Sequence, residues 1–127
     1  MNFPQNYQYT KSQEWVEFLA DGSAKVGITD YAQDQLGDLV FVNLPQPGDP
    51  VTAGEPLGDV ESVKAVSDVL SPVTGVVAEA NEALLDAPES INSDPNGAWF
   101  IRVEEISGQE ELLDAAAYAA FVATLAE

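Results

Sequence analysis

The stretch GDVESVKAVSDVLSPVTG, residues 58–75, decides the fold, because it holds the best strand signal of the chain around a single lysine. Side chains 59–63 alternate between the two faces of an extended strand, and the alternation resumes at 65–70. A tight reversal between these two segments predicts a β-hairpin with Lys64 at its tip. Without further evidence, Lys64 is better interpreted as an ordinary strand lysine that extends its amine into solvent than as a functional residue.

Length and charge bound the possible functions. The chain has 127 residues with 46% apolar side chains, which is enough for one packed domain. Its 22 acidic and 4 basic residues give a net charge of −18, which argues against nucleic-acid or anionic membrane partners. The first fifteen residues lack a signal-peptide pattern, and the apolar run LVFV at 39–42 is far shorter than the ~20 residues of a membrane span. We therefore expect a soluble, cytoplasmic monomer.

The residue types that most enzymes use for catalysis are missing. The chain has no cysteine, so it has no thiolate nucleophile or redox pair, and no histidine, the usual general base and zinc ligand. Its carboxylates follow no catalytic spacing, and no phosphate-binding glycine motif is present. A carboxylate pair with a raised pKa could still do acid–base work, but we expect no metal site and a chain poorly equipped to be an enzyme by itself. If it takes part in chemistry, the reactive group is brought in.

Turn and cap residues predict a mainly β fold. The apolar runs at 14–19 and 25–28 flank the Asp-Gly turn of residues 20–24, which is a strong hairpin signal. Thr29 is a good N-cap and Gly37 a good C-cap, so a short helix is expected after the second strand. Further short strands follow at even spacing, which favours a sandwich or a barrel.

Near the C-terminus, the spacing of apolar residues changes from that of a strand to that of a helix. Leu113, Ala117 and Phe121 recur at helical spacing, which predicts a C-terminal helix at about 109–126. The large aromatic side chains in strand patterns are expected in the core: Trp15, Phe41, Trp99 and Phe100.

Five segments together resemble one known family and cover nearly the whole chain in that family's order. They are KSQEWV (11–16), VGITDYAQDQLGDLVFVNLP (26–45), ESVKAVSD (61–68), SPVTGVV (71–77) and LLDAAAYAAF (112–121). The family is that of the glycine cleavage H proteins, which carry lipoate on a lysine. The resemblance implies a hybrid barrel-sandwich, formed as a single lipoyl-carrier domain over 1–127. It also implies that Lys64 receives lipoate in amide linkage.

The same resemblance implies the partners. The lipoyl arm would accept the aminomethyl group of glycine from a pyridoxal-phosphate glycine decarboxylase. An aminomethyltransferase would then pass the one-carbon unit to tetrahydrofolate, and the FAD enzyme dihydrolipoyl dehydrogenase would reoxidise the arm. A lipoate ligase or an octanoyltransferase would modify Lys64, with Glu61 helping it to recognise the hairpin. A solvated strand acid is an equally good reading of Glu61.

Several alternatives stay open. Biotin carriers share this fold family, but their lysine lies between two methionines, whereas Val63 and Ala65 flank Lys64, so lipoate is preferred. A lipoyl donor that relays lipoate to other proteins could use the same hairpin. A non-carrier acidic interaction domain would leave Lys64 unmodified.

The chain lacks histidines that the family typically carries. They belong to the motifs matched here by Gln13-Glu14-Trp15 and by the segment around Tyr31, and often to the position of Gln35. In this family the loaded arm folds back into a cleft lined by such residues. We therefore expect Gln13, Glu14, Tyr31 and Gln35 to line the cleft, and release of the arm to lack a histidine-like titration near neutral pH.

Overall fold

The computed structural model describes residues 1–125 and contains nine strands and four helices in this range. The strands are β1 (Gln8–Tyr9), β2 (Glu14–Phe18), β3 (Ala24–Ile28), β4 (Leu39–Asn43), β5 (Pro50–Val51), β6 (Pro56–Ser62), β7 (Val66–Leu70), β8 (Val73–Ala80) and β9 (Ile101–Gln109). The helices are α1 (Asp30–Leu36), α2 (Ala83–Asp86), α3 (Ser90–Ser93) and α4 (Ala115–Leu125). None of the helices in this range is long and apolar enough to cross a membrane.

Two antiparallel sheets enclose one core. The larger has the order β1-β2-β3-β9-β8-β5, and the smaller has the order β4-β6-β7. Val16 and Val26 of the larger sheet belong to the same buried cluster as Val42, Val60 and Val69 of the smaller. Side chains from two inner faces thus meet as in a sandwich. The predicted mainly β barrel-sandwich with a C-terminal helix is confirmed.

The β2–β3 hairpin and helix α1 form where the sequence predicts them. Leu19 N–H donates to Ser23 O across the turn, and Gly22 adopts the positive φ of 88° that this turn needs. Thr29 caps α1 by accepting a hydrogen bond from Ala32 N–H, and Gly37 N–H closes the last turn onto Gln33 O. The short helix therefore follows the strand pair directly. A two-residue strand, β1, precedes the pair and makes β3 the third strand of the chain.

The C-terminal helix begins at Ala115, six residues later than predicted. Gln109 is the last residue of β9, and Leu113 exchanges two backbone hydrogen bonds with Tyr9, which keeps it extended. The Asp114 carboxylate then accepts from Ala117 N–H at 2.8 Å and so acts as the N-cap. The predicted helix end at residue 126 lies outside the described residues.

Gly27 packs closely against Trp15, the largest fully buried side chain of the larger sheet. A methyl group built on Gly27 would lie 2.5 Å from the indole ring of Trp15, which is its cross-strand partner. The ring is buried, and its Nε1–H donates to Pro95 O at 3.0 Å, so it cannot move away freely. At Gly108 in β9, a methyl group would fit without a clash, because its nearest neighbour, Thr74 Oγ1, would lie at the van der Waals distance of 3.6 Å.

We expect Gly27→Ala to lower the free energy of unfolding by about 1–3 kcal/mol, the usual range for overpacking a core. Gly108→Ala is the matched control and should be neutral or stabilise by up to about 1 kcal/mol. Urea denaturation at constant m-value measures both changes. Equal stabilities for the two variants would contradict the close packing of Trp15 on Gly27.

Candidate functional site

The hairpin between β6 and β7 presents Lys64 at its tip, as predicted. Residues 63–65 form the turn, and Ser62 N–H donates to Ala65 O at 2.7 Å. The Ser62 hydroxyl oxygen also accepts from the backbone N–H groups of Lys64 (3.2 Å) and Ala65 (3.0 Å). This serine supplies the turn chemistry that Asn or Gly supplies in other hairpins. Sequence reasoning missed it, although a serine just before a reversal is a known turn signal.

The hairpin tip is attached to the end of helix α1. Val63 N–H donates to Asp38 O at 3.1 Å, and Lys64 Cε lies 3.5 Å from where a methyl group on Gly37 would be. Gly37 itself has φ 83° and ψ −161°, a region that is open almost only to glycine. The backbone of the tip is thus held in place, while the Lys64 side chain remains exposed.

Lys64 differs from the other three basic residues in its surroundings. Lys11 pairs with Glu111 at 3.5 Å, and Arg102 pairs with Glu79 at 2.7 Å. Lys25 Nζ lies 5.3 Å from the centroid of the Trp99 ring, in a cation–π contact. Within residues 1–125, Lys64 has neither an ion pair nor a cation–π partner. Its amine is therefore free for modification.

A cleft of about 180 Å³ lies between the edge strand β7 and the segments around β2 and α1. All four side chains predicted for the arm cleft line it: Gln13, Glu14, Tyr31 and Gln35. Their part in holding an arm stays a prediction. Apolar groups line the rest of the wall together with three further polar residues: Ile28, Ala32, Leu36, Val60, Val69, Ser12, Ser67 and Asp68. The cleft thus offers both apolar surface and hydrogen-bonding groups.

Glu14 is the most unusual residue of the cleft, because a carboxyl group is rarely so deeply buried. It is only 3% exposed. Its Oε1 accepts from the hydroxyls of Thr10 (2.8 Å) and Ser12 (2.5 Å), and its Oε2 accepts from Leu70 N–H at 3.2 Å. Since Leu70 ends β7, this carboxyl group connects the two sheets beside the cleft.

Burial raises the pKa of Glu14 to about 7, although the hydrogen bonds from Ser12, Thr10 and Leu70 act in the opposite direction. One group of the cleft wall therefore titrates near neutral pH, whereas the expectation that release of the arm lacks a histidine-like titration stays a prediction. The sequence does hold a signal for this burial. Glu14 alternates with Val16, so both residues fall on one face of β2, and Val16 is a core residue.

Exposed apolar side chains surround the lysine hairpin. Phe41, predicted as a core residue, is 49% exposed, and Val66 is 67% exposed. They lie on either side of Glu61 in one row across the smaller sheet, because Phe41 pairs with Glu61 and Glu61 pairs with Val66. An irregular register between Leu39 and Phe41 turns Phe41 outward. Glu61 is therefore a half-buried acid between two apolar neighbours, close to the turn.

The comparisons with known proteins agree on one family. The profile of the glycine cleavage H-protein family matches residues 7–125. The glycine cleavage system H protein of Lachnoclostridium phytofermentans is 57% identical over 122 residues, which cover 96% of each chain. That of Acidobacterium capsulatum is 52% identical over 125 residues, covering 96% of this chain and 95% of the other. A crystal structure of such a protein from Mycobacterium marinum matches with a TM-score of 0.90 at 42% identity, over 95% of this chain and 99% of that one.

The raised pKa of Glu14 predicts how stability depends on pH. The folded protein keeps this proton up to about pH 7, whereas the unfolded chain loses it near 4.5. Stability should therefore decrease as the pH rises from 4.5 to 7, by on the order of 3 kcal/mol from this group, and stay level above. Gln at this position stays neutral at every pH. Relative to Glu14→Gln, the wild type should therefore lose on the order of 3 kcal/mol of unfolding free energy between pH 4.5 and pH 7.

Urea denaturation at a series of pH values between 4.5 and 8 measures this difference. Glu17→Gln, on the same strand, is the control for removing one charge from a chain of net charge −18. A difference between wild type and Glu14→Gln that is the same at every pH would contradict the raised pKa.

Proposed function

The chain belongs to the glycine cleavage H-protein family, and from that premise we propose that it carries the aminomethyl group of glycine on a lipoyl arm attached to Lys64. Members of this family are lipoyl carriers, not catalysts, and they act together with the other components of the glycine cleavage system. The observation that carries the proposal is the tip of the β6–β7 hairpin. There, an exposed lysine amine, which has no ion-pair partner within residues 1–125, extends from a hairpin whose strand β7 lines the cleft.

The residues around Lys64 fit a lipoyl group. Lipoate supplies a strained disulfide that can take up a one-carbon amine and two electrons, which a chain without cysteine cannot do alone. The apolar wall of the cleft, which includes Ile28, Leu36 and Val69, can bury an acyl chain. Ser12 and Glu14 can then bind a polar group at its end. Tight attachment of the tip to α1 fixes the point from which the arm extends, while the lysine side chain leaves the arm free to turn.

Glu14 has the hydrogen-bonding capacity to bind the amine of the cargo. A carboxylate offers about four acceptor positions, and Thr10, Ser12 and Leu70 occupy three of them. One position on Oε2 remains for an ammonium group. A positive charge there favours the ionised carboxylate, so binding of the cargo should lower the pKa of Glu14 from about 7 and release its proton.

The proposed partners follow from this cycle. They are the pyridoxal-phosphate glycine decarboxylase, the aminomethyltransferase that uses tetrahydrofolate, and the FAD enzyme dihydrolipoyl dehydrogenase. A lipoate ligase or an octanoyltransferase would modify Lys64, and we propose that Glu61 helps it to recognise the hairpin. The row that Glu61 shares with Phe41 and Val66 supports this role, since an enzyme that reaches Lys64 must approach this surface. We also propose that the carrier acts as a monomer in the cytoplasm.

Coexpression with a lipoate ligase and added lipoate should attach one lipoyl group to Lys64. Intact-mass measurement and peptide mapping should find it there and not on Lys11 or Lys25, because Lys64 alone of the three lysines stands at the tip of the β6–β7 hairpin. Lys64→Arg should remove the modification and leave the free energy of unfolding within about 0.5 kcal/mol, since the tip is exposed. Lys25→Arg is the matched control and should be lipoylated normally.

Function is tested with the same three proteins. Lipoylated wild type and Lys25→Arg should support release of carbon dioxide from glycine by the decarboxylase, and each should gain the mass of the aminomethyl group. Lys64→Arg should support neither. An unmodified Lys64 in the wild type, or activity of Lys64→Arg, would refute the proposal.

Replacement of Glu61 should slow lipoylation without unfolding the protein. We expect Glu61→Gln to reduce the initial rate at limiting ligase by about threefold to tenfold, which is the effect of losing one typical hydrogen bond. Asp59→Asn is the control, because Asp59 lies in the same strand and pairs with Asp68, farther from the turn. Equal rates of lipoylation for the two variants would contradict the role in recognition and would mean that Glu61 is only a solvent-exposed acid on a strand.

A further inference from the structure

Tyr118 connects the C-terminal helix to the cleft. Its ring is fully buried and stacks on Tyr9, with 4.7 Å between ring centroids and an interplanar angle of 10°. Its hydroxyl contacts Thr29 Oγ1 at 2.7 Å and makes a short hydrogen bond to Gln13 Oε1. Thr29 caps α1, and Gln13 lines the cleft. One hydroxyl group from α4 therefore contacts two segments that form the wall of the cleft.

The direction of these hydrogen bonds follows from the burial of Thr29. The Thr29 hydroxyl is fully buried and already accepts from Ala32 N–H, so its own proton needs an acceptor. Within residues 1–125, the Tyr118 oxygen is the only acceptor in contact with it. Thr29 thus donates to Tyr118, and the Tyr118 proton is directed to Gln13 Oε1.

This direction fixes the orientation of the Gln13 amide. The carbonyl oxygen Oε1 is turned towards Tyr118, so the NH₂ group with its two donors forms the free end of the side chain. Burial raises the pKa of Tyr118 to about 12, which keeps the donating proton in place across the range where Glu14 titrates. The orientation of the amide should therefore not change with pH near neutrality.

The backbone of Gln13 supports a role for this side chain. Gln13 has φ 82°, a left-handed backbone conformation that residues other than glycine rarely adopt. It is held there by hydrogen bonds from Gln13 N–H to Thr10 O (3.2 Å) and from Thr29 N–H to Gln13 O (3.0 Å). Glycine would remove the strain but would also remove the amide from the cleft.

We propose that Tyr118 is a positioning residue of the cleft, which holds the Gln13 amide so that its two N–H donors face the occupant. The cleft then has two neighbouring side chains of opposite character. Gln13 offers donors, which bind a carbonyl oxygen or a sulfur atom of the occupant, and Glu14 offers an acceptor, which binds an amine. That the occupant is the lipoyl arm rests on the proposed function, whereas the orientation of Gln13 does not.

The first test uses the unmodified protein and nitrogen-15 NMR relaxation of the Gln13 side-chain NH₂ group. We expect an order parameter close to that of a rigid backbone amide, about 0.85, in the wild type and one below about 0.6 in Tyr118→Phe. Tyr9→Phe is the matched control. It removes the hydroxyl of the stacked neighbour, which donates to Pro4 O, and should leave the Gln13 signal unchanged.

A mobile Gln13 amide in the wild type would overturn the proposal without any variant, even if Tyr118→Phe did not fold. The same order parameter in the wild type and in a folded Tyr118→Phe would also overturn it. Because no lipoate is involved, these outcomes are independent of whether Lys64 is modified.

The second test is a double-mutant cycle on the lipoylated carrier loaded with its aminomethyl cargo. Tyr118→Phe and Gln13→Met should each speed the loss of the cargo to water by about twofold to tenfold, as expected for one lost hydrogen bond. If Tyr118 acts through Gln13, the double variant should equal Gln13→Met alone. Additive effects would mean that Tyr118 acts through general stability, and would overturn the positioning role.

Discussion

The alternation of side chains along β6 is the constraint on which the rest of the structure depends. Val60 lies in the core that the two sheets share, whereas its neighbours Asp59 and Glu61 lie on the outer face. A shift of the strand by one residue would bury two carboxylates and expose the valine, at a cost of several kcal/mol. The register of β6 is therefore fixed. A fixed register brings Lys64 to the end of the hairpin, where the backbone N–H of Val63 donates to Asp38 O just after α1.

Beside the cleft, a polar group adds to the apolar packing that joins the two sheets. Glu14 from β2 accepts the backbone N–H of Leu70 from β7. A buried carboxyl group is a poor choice for stability at neutral pH, since burial favours its protonated form. Buried carboxyl groups with a raised pKa are typical of functional sites, where residues that serve binding lower the stability of the fold. The same wall contains Gln13 in a strained backbone conformation, which fits this reading.

Much of this architecture could be predicted because it rests on local signals. Thr29 and Gly37 cap α1 as the sequence indicates, the β2–β3 turn follows from its turn residues, and the lysine hairpin follows from the alternation of side chains. Contacts between distant segments could not be predicted. The start of α4 depends on the pairing of Leu113 with Tyr9, and a sequence period does not reveal that pairing. The exposure of Phe41 follows from an irregular strand register, and the size of the pKa shift of Glu14 follows from how deeply the folded chain buries it, which alternation along β2 does not reveal.

The contact between Gln13 and Tyr118 joins residues that are 105 positions apart. During synthesis on the ribosome, which proceeds at about 5–20 residues per second, the lysine hairpin is complete more than forty residues before Tyr118 is added. The strands that pair within the smaller sheet, β4, β6 and β7, also come from the first part of the chain. The nascent protein can therefore form the Lys64 hairpin before Tyr118, which contacts Gln13 in the wall of the cleft, has been added. Synthesis from the N-terminus therefore separates in time the formation of the lysine hairpin and the addition of Tyr118.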